Sequence, residues 1–203
     1  MKVNAYAALE PKAALTPYTY ELGELGAEQV DIKISHCGFC HSDLSMINND
    51  WEASTYPIVP GHEIIGEVIG LGSATKGLQI GDKVGVGWNA ASCMSCQTCM
   101  EGAHHLCADK ESTIVGRHGG FADHVRTHWS WAIKLPEGID LAKAGPLLCG
   151  GITVFNPIIM ADVKPTDSVG VIGIGGLGHL AIKFLKSWGC EIIAFSSNPD
   201  KTQ

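Results

Sequence analysis

Residues 168–178 read SVGVIGIGGLG, and this stretch decides the fold of the C-terminal part of the chain. Its first five residues, Ser168–Ile172, form a nearly continuous apolar run, typical of a parallel-sheet strand that is buried on both faces. After the glycines, residues 179–188 carry apolar side chains with helical periodicity, and Gly189 is placed to cap that helix. Glu191–Phe195 (EIIAF) is a second apolar run, so this part of the chain predicts one βαβ unit.

The turn between the first strand and the helix has the spacing G-x-G-x-x-G, carried by Gly173, Gly175 and Gly178. Gly173 permits the tight turn, Gly175 lets a pyrophosphate approach the backbone, and Gly178 lets helix and strand pack closely. The start of the helix, with Gly176 and Leu177, offers free N–H groups to an anion. Because the motif follows a strand and opens a helix, it predicts a Rossmann-type dinucleotide site, with a glycine-rich turn of another α/β fold as the alternative.

The end of the second strand bears on which dinucleotide binds. An acidic side chain there is usual for NAD, whereas this chain has Ser196 and Ser197, followed by Lys201. Two hydroxyls and a cation suit a 2′-phosphate, which favours NADP. Two alternatives stay open: the serines cap a following helix with Lys201 in solvent, or Asp200 reaches a ribose and the cofactor is NAD.

The first 150 residues have a different pattern, of short strands between turns. Strands are predicted over 29–35, 63–70 (with a bend or bulge at its internal glycine) and 122–125, and residues 81–86 lead from a turn into a further strand. Residues 147–159 are compatible with a helix that Pro157 interrupts. We therefore expect a mostly β domain over residues 1–150 and a dinucleotide-binding domain that begins at residue 151 and runs to 203.

Composition excludes several classes of protein. The chain has 203 residues, 45% hydrophobic and 17% charged, as globular proteins do, and a net charge of −7. That charge argues against nucleic acid or an anionic membrane as the main partner. Residues 1–10 do not resemble a signal peptide, and no apolar run reaches the roughly 18 residues of a membrane-spanning helix. A cytoplasmic location is expected.

Four of the eight cysteines lie within fifteen residues, in the pattern C-x2-C-x2-C-x7-C: Cys93, Cys96, Cys99 and Cys107. Zinc takes four thiolates tetrahedrally, and a closed shell of this kind marks a structural site. An iron–sulfur cluster is the alternative, but its usual run ends with a gap of about three residues and a proline, both absent here. His104 and His105 are expected to be exposed loop residues. Cys37 and Cys190 are expected to be ordinary packing thiols.

Three further residues of types that bind metals lie far apart in the sequence. Taken singly, Cys40, His62 and Cys149 are unremarkable, because buried cysteines and core histidines are common. Their surroundings carry more information, and the motifs in question are Cys40-His41-Ser42-Asp43, Gly61-His62-Glu63-x-x-Gly66, Leu147-Leu-Cys149-Gly-Gly-Ile-Thr153 and Ser196-Ser-Asn-Pro-Asp-Lys201.

In this order, together with the four-cysteine lobe and the glycine motif, these motifs closely resemble the zinc-containing medium-chain dehydrogenase/reductase superfamily. The chain is most similar to its NADP-dependent, cinnamyl-alcohol-dehydrogenase-type aldehyde reductases, over essentially all 203 residues. The resemblance implies a mixed fold: an N-terminal, mostly β GroES-like catalytic domain with a zinc lobe, then the truncated start of a Rossmann α/β domain, one βαβ unit.

The resemblance also implies the chemistry, hydride transfer between NADP(H) and a small aldehyde or primary alcohol. It implies two zinc ions per chain, with Cys40, His62 and Cys149 as ligands of the catalytic one. Glu63 can approach that metal, and Asp43 orients His62 by accepting a hydrogen bond from the other ring nitrogen. Thr153 packs against the nicotinamide.

Ser42 carries the relayed proton, again by resemblance. Many relatives have a histidine three residues later, where this chain has Ser45, so the relay is expected to end at Ser45 through water or at His41, with a slower proton step. Trp51 and Trp88 line a substrate pocket or pack in the core, and both readings stay open.

Relatives of this kind are much longer, so the 203 residues alone are expected to turn over negligible substrate. The parent enzyme is expected to be a homodimer that binds neither nucleic acid nor membrane. The alternatives are an NAD-linked alcohol or polyol dehydrogenase, and a catalytically incompetent zinc-binding fragment or interaction module.

Overall fold

The structure is a computed structural model that describes residues 1–198. Lys201 and Asp200, which the sequence analysis considered for the cofactor, lie outside the described residues. The chain divides into two compact units, Met1–Leu148 and Cys149–Gln203.

The first unit is mostly β. Its strands are β1 (Lys2–Ala7), β2 (Thr16–Glu21), β3 (Gln29–Gly38), β4 (Glu63–Leu71), β5 (Lys83–Val86), β6 (Asn89–Ala91), β7 (Glu111–Ser112), β8 (His124–His128) and β9 (Ile133–Lys134). Its α-helices are α1 (His41–Asn48), α2 (Gln97–Met100) and α3 (Leu141–Ala144), and its 3₁₀ turns span His104–Leu106, Trp129–Trp131 and Gly145–Leu148.

A five-stranded antiparallel sheet in the order β8-β3-β4-β5-β9 forms the centre of this unit. The alternation read from the sequence becomes a buried face, whose fully buried side chains include Val30, Ile32 and Val68. The strands predicted over 29–35 and 63–70 are confirmed, each slightly longer than expected. The predicted irregularity is also present, because the register between β3 and β4 shifts twice, once beside Gly66.

One strand of this unit has other bounds than predicted, and one helix was not predicted. The strand expected over 122–125 begins at His124 and runs to His128, because the backbone just before it pairs with β1: Tyr6 N donates to Phe121 O at 2.8 Å and Asp123 N to Asn4 O at 2.9 Å. The helix α1 was not foreseen among the short strands. This helix is stabilised by Asp43, one of its own first residues, whose side chain caps the N-terminus of the helix.

The second unit contains the predicted βαβ arrangement. Its elements are α4 (Gly150–Met160), β10 (Ser168–Ile172), α5 (Gly176–Trp188) and β11 (Glu191–Phe195). The two strands pair in parallel, and Gly189 caps α5 with a φ of 108°. Helix α5 begins three residues before the stretch in which the apolar periodicity was identified. Its first turn contains two glycines, which contribute nothing to that periodicity.

Two expectations for the second unit were wrong. Helix α4 continues through Pro157, which removes a single backbone donor, while Ile158 packs in a core with Val171 and Leu185 and holds the helix in place. Strand β10 is not buried on both faces among the described residues: Val171 is buried, whereas Ile172 is 87% exposed.

Across the described residues, no single helix is long and apolar enough to cross a membrane. The consecutive helical segments Leu141–Leu148 and Gly150–Met160 reach that length and composition only when they are taken together.

Candidate metal centres

The first candidate centre is the group of four thiols, which lies in the segment that connects β6 to β7. The Sγ atoms of Cys93, Cys96, Cys99 and Cys107 all lie within 4.8 Å of one another. The short helix α2 begins after Cys96 and contains Cys99, while the 3₁₀ turn His104–Leu106 delivers Cys107. Local backbone geometry therefore assembles the whole group.

The spacing of these thiols fits zinc. The Sγ of Cys107 lies 3.5 Å from that of Cys93 and 3.9 Å from that of Cys96, and Cys93 and Cys99 are also 3.9 Å apart. Tetrahedral zinc with a Zn–S distance of about 2.3 Å requires sulfurs about 3.8 Å apart. A disulfide requires about 2.05 Å, and none joins any of the eight cysteines, all of which lie within residues 1–198. The thiols thus stand where a single tetrahedral ion needs them.

The electrostatics of the group favour a thiolate at one position. Backbone N–H groups of Ser95 and Cys96, with the neighbouring thiols, lower the pKa of Cys93 to about 6. The Cys96 N–H donates to the Cys93 Sγ at 3.3 Å. His105 is exposed, as expected, but the expectation for His104 was wrong: it is half-buried, because the 3₁₀ turn folds it against the lobe, where its Nδ1 is shielded from solvent.

The second candidate centre is built around the buried carboxylate of Asp43. Its Oδ1 accepts hydrogen bonds from His62 Nδ1 and from the Gly61 backbone N–H, both at 2.8 Å, and its Oδ2 accepts from the Cys40 backbone N–H at 2.9 Å. Asp43 and His62 are fully buried. The contact expected between Asp43 and His62 is therefore present, and a carboxylate acceptor at Nδ1 favours the tautomer with the ring proton there, in which Nε2 is the nitrogen that can ligate a metal.

Sequence and local structure explain how Asp43 comes to this place. Cys40 is the N-terminal cap of α1 and Asp43 is the third helical residue, so the carboxylate reaches back to the Cys40 N–H as in a capping box. His62 immediately precedes β4. The cap of one helix and the entry to one strand are thus joined through a single side chain.

Cys149 directly follows Leu148, the last residue of the first unit. One ligand atom from each of four side chains lies within 4.8 Å of the other three: Cys40, His62, Glu63 and Cys149. Two sulfurs and an imidazole are the donor set by which zinc keeps a position for a substrate, so these residues fit that metal.

Two glycines allow the backbone to approach Glu63 closely. A Cβ on Gly38 would lie 1.9 Å from Glu63 Oε2, and a Cβ on Gly145 would lie 2.8 Å from the Glu63 carbonyl oxygen. Neither approach is possible with a larger residue at those positions. The sequence contained no signal for these two glycines, because each contact joins residues far apart along the chain.

The residues assigned to the proton relay occupy different environments. Ser42 is half-buried, and the Cys40 thiol lies 3.7 Å from its Oγ. His41, the first residue of α1, is exposed, whereas Ser45, in the same helix, is buried. Of the two ends that the sequence left open for the relay, His41 therefore has direct access to solvent.

Aromatic rings flank the His62 imidazole. The ring centroid of Trp88 lies 5.0 Å from that of His62 in an edge-to-face arrangement, and Trp51 packs edge-to-face on Trp88 at 5.9 Å. Trp88 also packs against the apolar cluster that contains Met46 and Ile58. Trp51 is 51% exposed, so it presents an indole face to solvent beside the site.

In the second unit, the glycine motif has the backbone that a dinucleotide needs. Gly173 has a φ of 85°, and a Cβ on Gly178 would lie 2.0 Å from the Gly173 carbonyl oxygen, whereas Gly175 and Gly176 face open space. Leu177 is exposed at the start of α5. The backbone at Gly175 and Gly176 is therefore open to an anion at the N-terminus of this helix.

A cavity of about 430 Å³ adjoins the motif, lined by Ile172, Gly173, Ile174, Ala194, Phe195, Ser196 and Ser197. The Ser196 Oγ accepts a hydrogen bond from the Asn198 N–H at 3.1 Å, as in a local turn. The Ser197 side chain is exposed at the cavity. Thr153 is exposed on the first turn of α4, where its N–H donates to Cys149 O.

Proteins with related sequences span more residues than this chain. Aldehyde reductase AdhA of Synechocystis is 56% identical over 199 residues, which are 98% of this chain and 59% of that protein. A probable mannitol dehydrogenase of Fragaria ananassa is 38% identical over 210 residues, 100% of this chain and 58% of that protein. The chain thus spans about three fifths of the length of these relatives.

Solved structures of related proteins have the same fold. A cinnamyl alcohol dehydrogenase of Sorghum bicolor superposes with a TM-score of 0.93 at 36% identity, covering 99% of this chain and 60% of that one. The cinnamyl alcohol dehydrogenase of Helicobacter pylori, solved in complex with NADP(H), gives 0.93 at 31% identity, over 100% and 61% of the two chains.

The family model of the alcohol dehydrogenase GroES-like domain matches residues 26–137, more than half of the chain. The matched region contains β3, α1, β4 and the four-thiol lobe, and so most of both candidate centres. It confirms the GroES-like fold that the motifs implied. The chain belongs to the alcohol dehydrogenase GroES-like domain family, within the medium-chain dehydrogenases/reductases.

Proposed function

We propose that the whole protein is a zinc-dependent oxidoreductase that transfers hydride between NADP(H) and an aldehyde or primary alcohol. The observation that carries the proposal is the buried Asp43 carboxylate, which joins the Cys40 and His62 segments, whose ligand atoms lie within 4.8 Å of one another. Relatives named as an aldehyde reductase and cinnamyl alcohol dehydrogenases support the same activity.

Two zinc ions per chain are part of the proposal. Cys40, His62 and Cys149 would hold the catalytic ion, with Glu63 close enough to approach it, and the four clustered thiols would hold the structural one. The bound groups supply a Lewis acid for the carbonyl oxygen and a hydride donor for the carbonyl carbon. The protein supplies the orientation of the ligands and a path for the proton.

The proton path is proposed to begin at the Ser42 hydroxyl. Its Oγ lies beside Cys40, so it can donate to the oxygen of a reduced substrate and be reprotonated from its other side. We assign the outlet to the exposed His41, because Ser45 is buried and has little access to bulk water. The slower proton step expected from Ser45 belongs to the same proposal.

NADP(H) is the proposed cofactor. The pyrophosphate would rest on the open backbone between Gly173 and Gly178, where free N–H groups begin helix α5. The hydroxyls of Ser196 and Ser197 line the adjacent cavity and suit a 2′-phosphate. The neutral ends of these side chains supply no carboxylate that would repel the phosphate, and Thr153 is assigned to the nicotinamide end.

Aromatic aldehydes are the proposed substrate class. Trp88 stands edge-on to the His62 ring and Trp51 extends this wall to the surface, so a flat ring can stack beside the metal ligands. A polyol is the second candidate, because a relative is named a probable mannitol dehydrogenase. An incompetent zinc-binding module, without turnover, is the third.

One kinetic comparison on the whole protein separates these candidates. We expect reduction of benzaldehyde with NADPH, and a kcat/KM about 10–100-fold lower with NADH, since losing a charge-assisted hydrogen bond to the 2′-phosphate costs about 1.5–3 kcal/mol. Oxidation of mannitol with NAD at a higher kcat/KM would contradict the leading proposal. If zinc-loaded protein turned over neither substrate, the zinc-binding module without activity would be the remaining candidate.

Three broader assignments belong to the same proposal. Residues 1–150 form the catalytic domain with both zinc sites, and residues 151–203 contribute to the dinucleotide-binding domain. A cytosolic location follows from the need to keep clustered thiols reduced. A homodimer is the assembly we expect of the whole protein, and analytical ultracentrifugation tests it.

Replacing Asp43 with asparagine is expected to weaken zinc at the Cys40–His62 centre by about 10–100-fold. The two carboxylate oxygens accept three hydrogen bonds, so in either orientation the amide nitrogen of the substituted side chain would face at least one N–H donor. Competition with a chromophoric chelator measures the affinity. The control is Asp50→Asn, at an exposed carboxylate near the end of the same helix. Wild-type affinity in Asp43→Asn would refute the orienting role.

A further inference from the structure

Besides Asp43, a second segment that the motifs did not reveal holds the His62 region. Three successive backbone N–H groups, those of Gly119, Gly120 and Phe121, donate to the carbonyl oxygens of residues 59, 61 and 60 respectively, at 2.7–2.9 Å. Residues 59–61 lead directly into His62. We call residues 119–121 the strap.

The strap approaches so closely that glycine is required. A Cβ on Gly119 would lie 2.4 Å from the Gly61 carbonyl oxygen and 2.8 Å from the Pro60 carbonyl oxygen. It would also meet the Cγ2 of Ile114 at 2.4 Å. Backbone atoms cannot rotate away as the end of a side chain can, so an added methyl group must displace the segment before His62.

Gly120 makes a contact of a different kind. A Cβ there would lie 2.4 Å from the Cγ1 of Ile64 and 2.8 Å from the Sγ of Cys37, and both are side-chain atoms. Substitution at Gly120 therefore overpacks the core without touching the carbonyl groups of residues 59–61.

The strap also reaches the other ligand segment. The Phe121 ring stacks on that of Phe39 at a centroid distance of 5.9 Å, and Phe39 directly precedes Cys40. The far end of the strap is anchored, since Tyr6 N donates to Phe121 O and Asp123 accepts from Asn4 through both carboxylate oxygens. The strap is therefore held to β1 on one side and contacts both ligand segments on the other.

We infer that residues 119–121 are a positioning element for the catalytic metal, which they hold by fixing the backbone that carries His62. The inference rests on the proposed function, because it concerns the metal at Cys40 and His62. The strap acts through the carbonyl groups of residues 59–61. The four-thiol centre lies outside its contacts and provides an internal reference.

The test follows release of zinc from the loaded protein to a chromophoric chelator, with Co²⁺ substitution as a second readout. In Gly119→Ala we expect one of the two zinc ions to leave about 10–100-fold faster, as for other residues that orient a ligand, and the other to leave at the wild-type rate. The d–d absorption of Co²⁺ at the affected centre is expected to shift. Circular dichroism checks the fold.

Matched variants decide the cause. Gly23→Ala, at a glycine that faces open space, is expected to retain both ions at wild-type rates. The double variant Ile114→Ala/Gly119→Ala removes the side-chain clash and keeps the clash with the two carbonyl groups, so it is expected to release zinc as fast as Gly119→Ala. If Gly119→Ala does not fold, Phe121→Leu, which removes the ring stacked on Phe39, is expected to speed release severalfold.

The inference is overturned if Gly119→Ala, or Phe121→Leu in its place, releases zinc at the wild-type rate. It is also overturned if Ile114→Ala restores the wild-type rate when it is combined with Gly119→Ala. Wild-type protein that binds one zinc ion would contradict the proposed function and the inference together. If the wild-type protein binds two zinc ions and Gly119→Ala releases both at the wild-type rates, the inference is overturned but the proposed function is not.

Discussion

Replacing His62 with alanine is expected to remove one of two zinc ions and to lower kcat/KM of the whole protein about a thousandfold or more. The buried imidazole is the only nitrogen of the proposed catalytic donor set, and it is held by Asp43 at 2.8 Å. Lewis-acid stabilisation contributes several kcal/mol to such a transition state, and each 1.36 kcal/mol is about tenfold in rate. Metal analysis and steady-state kinetics on the same preparation measure the two effects.

A cavity and the loss of one of the three hydrogen bonds to Asp43 are side effects of this change, so a second variant is needed. His62→Gln fills most of the space and keeps an N–H donor for Asp43, yet it is a poor zinc ligand. We expect both variants to lose the ion and the activity. His36→Ala, at an exposed histidine on β3, is the control. Full zinc content and turnover in His62→Gln would show that packing, and not metal binding, is the role of His62.

Replacing Cys99 with serine is expected to remove the other zinc ion and to unfold the lobe between β6 and β7. Few apolar side chains hold this lobe: the buried hydrophobic residues within 93–107 are Cys99 and Cys107 themselves. The free energy of metal binding therefore takes the place of a core, and in isolated zinc-binding peptides it amounts to about 10–16 kcal/mol. We expect rapid proteolysis within the lobe and a lower melting temperature.

Zinc content and limited proteolysis with mapped cleavage sites test this second prediction. Cys190→Ser is the matched control, because that thiol is half-buried in the second unit and belongs to neither group. The Cys40–His62 centre is expected to keep its ion in Cys99→Ser. If Cys99→Ser retained two zinc ions and resisted protease as the wild type does, the four thiols would not be a metal site.

The features that could be predicted from the sequence are those contained in one short segment. The four cysteines assemble within fifteen residues, and the glycine turn, its strand and its helix follow one another directly. For such segments, backbone geometry alone brings the groups together, so spacing is enough. Boundaries were less certain where tertiary pairing intervened, as at β8, and Pro157 was misread because packing offset the loss of one hydrogen bond.

The Cys40–His62 centre was beyond what spacing could predict. Each ligand looked ordinary by itself, and only a resemblance to a known superfamily grouped them. Helix α1 was missed because its buried residues include Asp43 and Ser45, which carry no apolar periodicity. The position of Asp43, with acceptor contacts to two segments, appears only once both segments are folded.

By itself, then, the sequence determined the thiol lobe, the βαβ unit and its phosphate-binding turn, because neighbouring residues place those groups within reach of one another. The tertiary structure alone decided that Asp43 joins the Cys40 and His62 segments, that Trp88 stands beside the imidazole, and that Gly119 lies against residues 59–61. These contacts link points tens of residues apart, and their distances follow from how β3, β4 and α1 pack, which no local pattern encodes.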